Sequence, residues 1–318
     1  MTSKVAVVAT VRDEVASIEG MVSALVAGSR RPDEIVITDA GSTDGTWEEL
    51  QRLASMHPIL KPFQVAGNRS VGRNLAINHA TSDVIACIDG GCTPHQGWLA
   101  ALTAPFEEGA SWVGGFYRPA SDSRRVVCIG LTMVFVLEEA LEGGFLPSAR
   151  SMAFTKSAFS KAGGFPEDLE VSEDTAFDEA MERAGFTFVF RPDAIVDWVP
   201  PHGFRQQAKV LWTWSRSDGV AGIRSYGYKR TLRFEVLSGA AVLGLALIDP
   251  RLAPLGLLPL IGLMVRQTRY KYRWADGFMK FLWIPCAWFV GLMSKSFGFL
   301  AGALSRRRRR RSATGGQA

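Results

Sequence analysis

The 318-residue chain has little of what metal-centred or disulfide-stabilised proteins are built from. Its four cysteines, Cys87, Cys92, Cys128 and Cys286, form no Cys-x-x-Cys pair and no paired spacing, so zinc and a disulfide framework are poorly supported and a reducing compartment is expected. The amino end has no leader pattern: Met1 to Lys4 runs straight into Val5-Ala6-Val7-Val8-Ala9, which reads as a strand, so the leading part is expected to stay in the cytosol. Basic charge is scarce outside one place. The net charge is +5, but Arg306 to Arg311 supply six positive charges, and 5 − 6 leaves −1 for the rest. The body is therefore no basic nucleic-acid binder, and no nucleic-acid partner is expected. No internal repeat is visible, and low complexity is confined to the arginine run and the Gly315-Gly316 end.

What is present is an alternation of strand, polar turn and helix. Its centre is Asp39-Ala40-Gly41-Ser42-Thr43-Asp44-Gly45-Thr46, lying between the β-branched run Glu34 to Thr38 and the helically spaced Trp47 to Leu53. In open α/β sheets, ligands bind at such carboxyl ends of strands. The read as an ordinary capped turn remains open at this point. Val5 to Ala9 is expected as the first buried parallel strand, with Thr10-Val11-Arg12-Asp13-Glu14 as its exit loop and Ile18 to Ala27 as an amphipathic helix. Ile59 to Val65 reads as a third strand. Asn68 to Asn74 opens a helix running through Ala80, with a basic, glycine-containing amino end suited to a phosphate. Val84 to Ile88 is a strand ending at Asp89-Gly90-Gly91. These units argue a parallel sheet with right-handed crossovers. Further along, Trp112 to Tyr117 reads as a strand, Leu131 to Leu141 as a helix, and Gly163-Gly164-Phe165-Pro166 as a tight turn. Val171 to Thr175 leads into a helix through Arg183, and Thr187 to Phe190 and Ala194 to Trp198 read as closing strands.

The order of these motifs resembles the family 2 glycosyltransferases of the GT-A fold over roughly residues 4 to 205. Asp39 to Thr46 is similar to the family's acidic-Gly-Ser-x-Asp-Gly-Thr turn. Gly72-Arg73-Asn74 resembles its arginine-asparagine helix start, Asp89-Gly90-Gly91 stands where it carries Asp-x-Asp, and Gly163-Gly164-Phe165 and Glu173-Asp174 resemble its later, acceptor-side motifs. The exit loop Thr10 to Glu14 corresponds to one usually ending Asn-Glu, with Asp13 in place of the Asn. The resemblance implies an α/β fold: a GT-A, Rossmann-like, mostly parallel sheet flanked by helices. It implies an inverting, hexosyltransferase-like enzyme that moves a sugar from a nucleotide-diphospho-sugar to a hydroxyl. Donor-binding residues would be Thr10, Glu14, Asp39, Arg73 and Asp89: Glu14 and Asp39 for base and ribose, Arg73 for phosphate. Asp89 would hold Mg²⁺ or Mn²⁺, with the reservation that Gly91 replaces the second aspartate. Asp174, with Glu173, is the expected catalytic pair, and Arg150 and Gly164 are placed on the acceptor side. His202 reads as a surface residue. Gly91 also motivates an alternative, a catalytically inactive membrane scaffold that binds nucleotide sugar or lipid. A nucleotidyltransferase would need a basic glycine-rich first loop, and Thr10 to Glu14 has neither glycine nor lysine.

From about Gln206 the texture changes. The expected division is a catalytic domain at 1–205, an amphipathic connector at 206–233, a membrane hairpin plus interfacial helix at 234–304, and a basic disordered tail at 305–318. Val236 to Ile248 and Leu252 to Val265 are apolar runs split by Asp249-Pro250-Arg251, each alone short of the roughly 20 residues that cross a bilayer. Extended to Thr231 and Tyr270 they come near that length and read as a hairpin, with a buried soluble hairpin as the competing reading. Arg224, Lys229, Arg230 and Arg233 precede it and Arg266, Arg269, Lys271 and Arg273 follow, so the positive-inside rule places both ends in the cytosol. Phe281 to Leu304, interrupted by Pro285 and Lys295, suits an interfacial helix, and the arginine run suits anionic lipid. The expected location is the cell membrane with a cytoplasmic catalytic domain. The expected acceptor is a lipid-linked or glycan hydroxyl, in cell-envelope or polysaccharide synthesis.

Overall fold

The computed structural model describes residues 4–223 and 225–314, with side chains described to residue 308. Arg224, the side chains of Arg309 to Arg311, and Gly315-Gly316, all used in the readings above, lie outside it. In chain order the elements are β1 (Val5–Val11), α1 (Val15–Ala27), β2 (Glu34–Asp39), α2 (Thr46–Met56), β3 (Leu60–Gln64), α3 (Arg69–His79), β4 (Val84–Cys87), β5 (Cys92–Pro94), α4 (Trp98–Thr103), β6 (Trp112–Pro119), α5 (Arg124–Leu131), α6 (Leu137–Leu141), β7 (Met152–Thr155), α7 (Lys156–Ala162), α8 (Glu173–Arg183), β8 (Val189–Trp198), α9 (Phe204–Ala221), α10 (Ser225–Ile248), α11 (Leu258–Thr268) and α12 (Lys280–Thr314). They fall into two compact units: residues 1–120 with 144–199, and residues 121–143 with 200–318.

The first unit holds a mixed eight-stranded sheet in the order β3-β2-β1-β4-β7-β6-β8-β5. β3, β2, β1 and β4 run parallel, and the buried apolar runs of β1, β2 and β4 suit strands covered on both faces, which have no reason to alternate. Past β4 the sheet departs from the simple alternation: β7 pairs antiparallel with both β4 and β6, and β5 antiparallel with β8. The sequence reading had neither β5 nor β7. The two closing strands are one, β8, paired parallel with β6 through a register irregularity at Gly114 to Phe116. Glu34, at the foot of β2, is buried and accepts from Lys61 Nζ (2.6 Å), Thr81 N (2.7 Å), Ser82 N (2.8 Å) and both hydroxyls, which ties β2, β3 and the β4 approach together. Behind the sheet, Phe154, Phe159, Phe165 and Phe177 pack as one aromatic cluster, with Phe165 and Phe177 stacked at 4.2 Å.

Gly72 sets how closely α3 approaches the sheet. A Cβ there would stand 2.5 Å from Thr10 Cγ2 and 2.9 Å from Thr38 Oγ1, so only glycine lets the helix rest on the ends of β1 and β2. Asn68 caps α3 by accepting from Val71 N at 3.1 Å.

In the second unit, the expected helix Leu131 to Leu141 is two helices. α5 ends at Leu131, Thr132 Oγ1 bonds back to Ile129 O at 2.8 Å, and Val136 turns extended to start α6, whose Glu139 accepts from Val136 N. β-Branched Thr132, Val134 and Val136 favour that break. α9 and α12 lie against each other through small residues: a Cβ at Gly219, Gly298 or Gly302 would meet the backbone of the facing helix. α10 folds back onto a 3₁₀ stretch, Pro250–Leu257, where Gly256 rests on the backbone of Val242.

Two helices, Ser225–Ile248 and Lys280–Arg308, are long and apolar enough to cross a membrane by length and composition. This corrects two expectations. The return arm Leu252 to Val265 is no span: Pro254 and Pro259 split it into the 3₁₀ stretch and the 11-residue α11, about 16 Å long. Pro285 lies inside α12 without ending it. The helix also continues through Thr314, so 305–314 is helical where a disordered tail was expected. Exposed apolar side chains of this unit lie on the α10 arm and its turn, including Leu243, Leu247, Ile248, Leu255 and Leu258, and also along α12, including Phe281, Phe289, Phe297 and Leu304.

The return end of the hairpin is tied down by charge. Lys271 Nζ pairs with Glu139 at 2.8 Å and donates to Val134 O; Arg269 Nη2 pairs with Glu142 at 2.6 Å; Tyr270 donates to Glu142, and Trp274 Nε1 to Glu138 at 2.8 Å. Basic residues that read as lipid-facing flanks thus bind α6 and its end. Burial lowers the Lys271 ammonium, with Glu139 working against it.

Candidate active site

The site is built where β1, β2 and β4 end. Two loops lock together first. Asp13, in the left-handed region at φ 55°, donates from its N–H to Ser42 Oγ (2.9 Å) and accepts from Thr43 N (2.8 Å). Glu14 N donates to Thr46 Oγ1 at 2.8 Å, and Val15 N to Asp44 Oδ2 at 3.1 Å. The acidic turn and the first exit loop are therefore one piece, and Asp13, which departs from the family's Asn, is a working part of the joint. Asp39 is fully buried and accepts from Ser42 N–H, Ser42 Oγ and Gln64 Nε2 (3.2 Å). Thr10 Oγ1 and Thr38 Oγ1 share a hydrogen bond of 3.0 Å beneath Gly72.

Arg73 follows directly on α3. Its guanidinium is buried, Nη2 pairing with Asp89 Oδ1 at 2.9 Å and Nη1 with Glu173 Oε1 at 3.1 Å, with the Phe165 ring 4.7 Å from Cζ. This corrects the phosphate role: a guanidinium taken up by two carboxylates and covered by a ring is not presented to a diphosphate. It joins β4, α3 and α8. Burial opposes its charge, but Asp89 and Glu173 hold it protonated. Asn74 works beside it, exchanging hydrogen bonds with Phe165 N (3.0 Å) and Phe165 O (2.9 Å). The turn that carries Gly164 (φ 78°) is thereby fixed to α3.

Asp89 keeps a quarter of its side chain exposed. Burial works to raise its pKa, yet Arg73, Arg150 and Arg69 hold it below the ordinary aspartate range, so it is an anion at neutral pH. Glu173 is the reverse: burial, reinforced by Asp174 and Asp89, pushes it up against Arg73. Glu173 thus belongs to the clamp on Arg73 rather than to the open site. Asp174, one residue on, is half-buried and accepts from Ser148 Oγ at 3.1 Å. The same hydroxyl lies 3.3 Å from Arg150 Nη1, and the Arg150 guanidinium packs on Tyr117 (5.2 Å) and Trp198 (4.9 Å). Burial works against its charge, and Asp89, Tyr117 and Asp174 sustain it. Arg150 is therefore the guanidinium set between the two aspartates. Ser172, at φ 67°, turns the chain so that both acids open α8.

Glu14 lies over the Asp89 turn. A Cβ on Gly91, itself at φ 73°, would stand 3.4 Å from both Glu14 carboxylate oxygens, and one on Gly90 would stand 3.2 Å from Glu14 Cγ. Ser17 Oγ donates to Glu14 Oε2 at 2.5 Å. Among the described residues no group of three or more His, Cys, Asp or Glu side chains could hold a metal by itself. Asp89 with the Glu14 cradle offers hard anionic oxygen, which fits a Mg²⁺ or Mn²⁺ ion completed by phosphate oxygens and water.

Sequence reasoning found the acids but not their partners. Ser148 and Gln64 carry no motif signal, and they matter only because the fold brings strands distant in sequence side by side. A half-exposed trio was also missed: Asp197 takes Arg118 Nε at 2.7 Å and His95 Nε2 at 3.1 Å across β6 and β8.

A mixed sheet with acidic loops at the carboxyl ends of its parallel strands, and a second acidic pair opening a later helix, is the arrangement of a GT-A glycosyltransferase domain. Residues 6–128 match the family described as Glycosyl transferase family 2. Glycosyltransferase AglE of Haloferax volcanii is 25% identical over 206 residues, covering 60% of this chain and 65% of that protein, just under two thirds of the relative's length. The fold is also like that of a mannosyltransferase of Pyrobaculum calidifontis solved with GDP-Man and Mn²⁺ (18% identity, TM-score 0.58, 96% of this chain and 87% of that one). It is like that of S. aureus TarS too (14% identity, TM-score 0.52, 81% and 53%).

Proposed function

We propose that the protein is an inverting glycosyltransferase that moves a sugar from a nucleotide-diphospho-sugar to a hydroxyl of a lipid-linked or glycan acceptor at the cytosolic face of the cell membrane, in cell-envelope synthesis. The observation that carries this reading is the contact chain from Thr10 and Thr38 through Gly72–Arg73 to Asp89 and on to Glu173–Asp174, which falls on the sheet edge where the family motif lies. The relative's name and the GDP-Man and Mn²⁺ of the structural neighbour support the donor class and the cation.

In this reading Asp39 and its Ser42–Gln64 setting form the floor for base and ribose. Arg150, held between two rings, meets the charge of the leaving diphosphate in place of the occupied Arg73. Asp89, kept ionised, would hold a divalent cation, which would supply positive charge to offset the negative charge on the departing nucleoside diphosphate. Asp174 takes the proton from the acceptor hydroxyl as that oxygen attacks the anomeric carbon from the face opposite the leaving group; the C–O bond to the diphosphate breaks with its electron pair. Ser148 orients Asp174, and Glu173, through Arg73, fixes its helix.

For the membrane, residues 121–143 leave and rejoin the sheet unit by covalent chain, and the return end of the hairpin pairs with Glu138, Glu139 and Glu142. Both ends of 225–268 are then held within the helical unit, and α10 with its turn dips into the bilayer while α12 lies along α9. The test is to incubate membranes holding the full chain with labelled nucleotide sugars, extract lipid and glycan, and read the anomeric configuration of the product. Transfer with inversion is expected. No transfer from any donor, or retention of configuration, overturns the reading.

A further inference from the structure

We infer that Glu14, carried by the exit loop of β1, supplies the second carboxylate of the cation site, in the space a side chain at position 91 would otherwise fill. The inference rests on the donor-and-cation reading above and moves Glu14 from the base to the metal. The turn Asp89-Gly90-Gly91 has one carboxylate where two are expected, and Glu14 stands beside the bare position: a Cβ on Gly91 would touch both Glu14 oxygens at 3.4 Å, so an acidic side chain there would start out beside a like charge. Gly90 is bounded the same way by Glu14 Cγ at 3.2 Å. The two glycines and the glutamate are one steric arrangement: the turn is bare where the glutamate lies over it.

The placement of Glu14 is built. Its backbone N–H is fixed by Thr46 Oγ1 at 2.8 Å, the neighbouring Asp13 is bonded to Ser42 and Thr43, and Ser17 Oγ holds Oε2. Its position is therefore tied to the acidic turn after β2, the same turn that encloses Asp39. A cation at this point would take one carboxylate from β4 and one from the β1 loop, with donor phosphate oxygens and water completing a shell suited to Mg²⁺ or Mn²⁺. Because neither carboxylate suffices alone, the cation would bind well only with the nucleotide present.

The experiment is calorimetric titration of UDP, GDP, ADP, CDP and dTDP into the full chain, with and without Mn²⁺, for wild type, E14Q, D89N and the exchange variant E14A/G91D. The ratio of the affinities with and without Mn²⁺ isolates the cation's share and needs no turnover. Wild type is expected to bind one nucleotide more tightly with Mn²⁺. E14Q and D89N should each lose that enhancement by about tenfold or more, read as the ratio to each variant's own metal-free affinity. E14A/G91D, which moves the carboxylate back to the turn, should recover part of it. Circular dichroism of each variant checks that the fold is kept. An E14Q protein with the full Mn²⁺ enhancement overturns the inference and leaves the glycosyltransferase reading standing; so does a wild type that binds nucleotide with no response to Mn²⁺. Failure of every nucleotide to bind wild type, with or without Mn²⁺, overturns the donor reading and this inference with it.

Discussion

Two clusters of opposite charges hold this protein, one in each unit, and they are built differently. In the sheet unit Arg73 is 3% exposed and is shared by Asp89 and Glu173, whose side chains are 27% and 6% exposed. In the helical unit, among the described residues, only Lys271–Glu139 is comparably buried, while Arg269 and Glu142 are each about half exposed. The buried cluster brings three distant segments together at a place where a carboxylate must be left partly open. The exposed one fastens the end of a hairpin. Ion pairs at a surface contribute little singly, whereas removing one partner of a buried pair leaves a charge stranded. Structural and functional charge are thus separable here by burial.

The strongest way to test this contrast is through the acid that lies beside the buried cluster without belonging to it. D174N should lower kcat by roughly 10²–10⁴-fold, the range for loss of a general base, with little change in melting temperature. Unchanged turnover in a correctly folded D174N would remove Asp174 from the chemistry. R73M should do the opposite first. Stranding Glu173 and Asp89 should cost about 3–5 kcal/mol in denaturant unfolding. If R73M melts like wild type, the cluster is not the fastening described.

Glu34 sharpens the comparison, because it is buried with a lysine but bonded chiefly by hydroxyls and amides. Burial raises its pKa, and the bonds from Lys61, Ser82 and Thr81 more than reverse this, bringing it down from 4.5 to about 2. Its stabilisation is then complete above the ordinary glutamate range and fades as pH falls from 4.5 towards 2, on the order of 3 kcal/mol in all. Denaturation followed across that window should show the slope, and E34Q should flatten it. At the small end, E142A should shift the denaturation midpoint only slightly, and added salt should erase the difference. A larger, salt-insensitive loss would mean that the outer cluster resembles the buried one after all.

The parallel half of the fold was legible because β1, β2 and β4 are unbroken apolar runs and each ends in an acidic or glycine-bearing turn. The antiparallel half was not. β5 has three residues and β7 four, too short for periodicity, and their pairing is set by strands far away in sequence. The acids of the site were visible as motif members, but the occupation of Arg73 was not, since no spacing tells that residue 173 reaches residue 73. The hairpin misled for a related reason. Apolar composition marked 252–265 as a span, a reading that left out Pro254 and Pro259, which divide the arm.

The helical excursion at 121–143 has a practical corollary. The chain passes between the two units three times, at Ala120, Gly143 and Val199. Cleaving once after Val199 would therefore not liberate a clean catalytic fragment: Cys128, Leu131 and Val136 would stay behind, stripped of the Ala275 and Ile284 they pack against. A soluble enzyme would need that excursion replaced by a short loop as well, or it would carry a sticky, half-finished wing into solution.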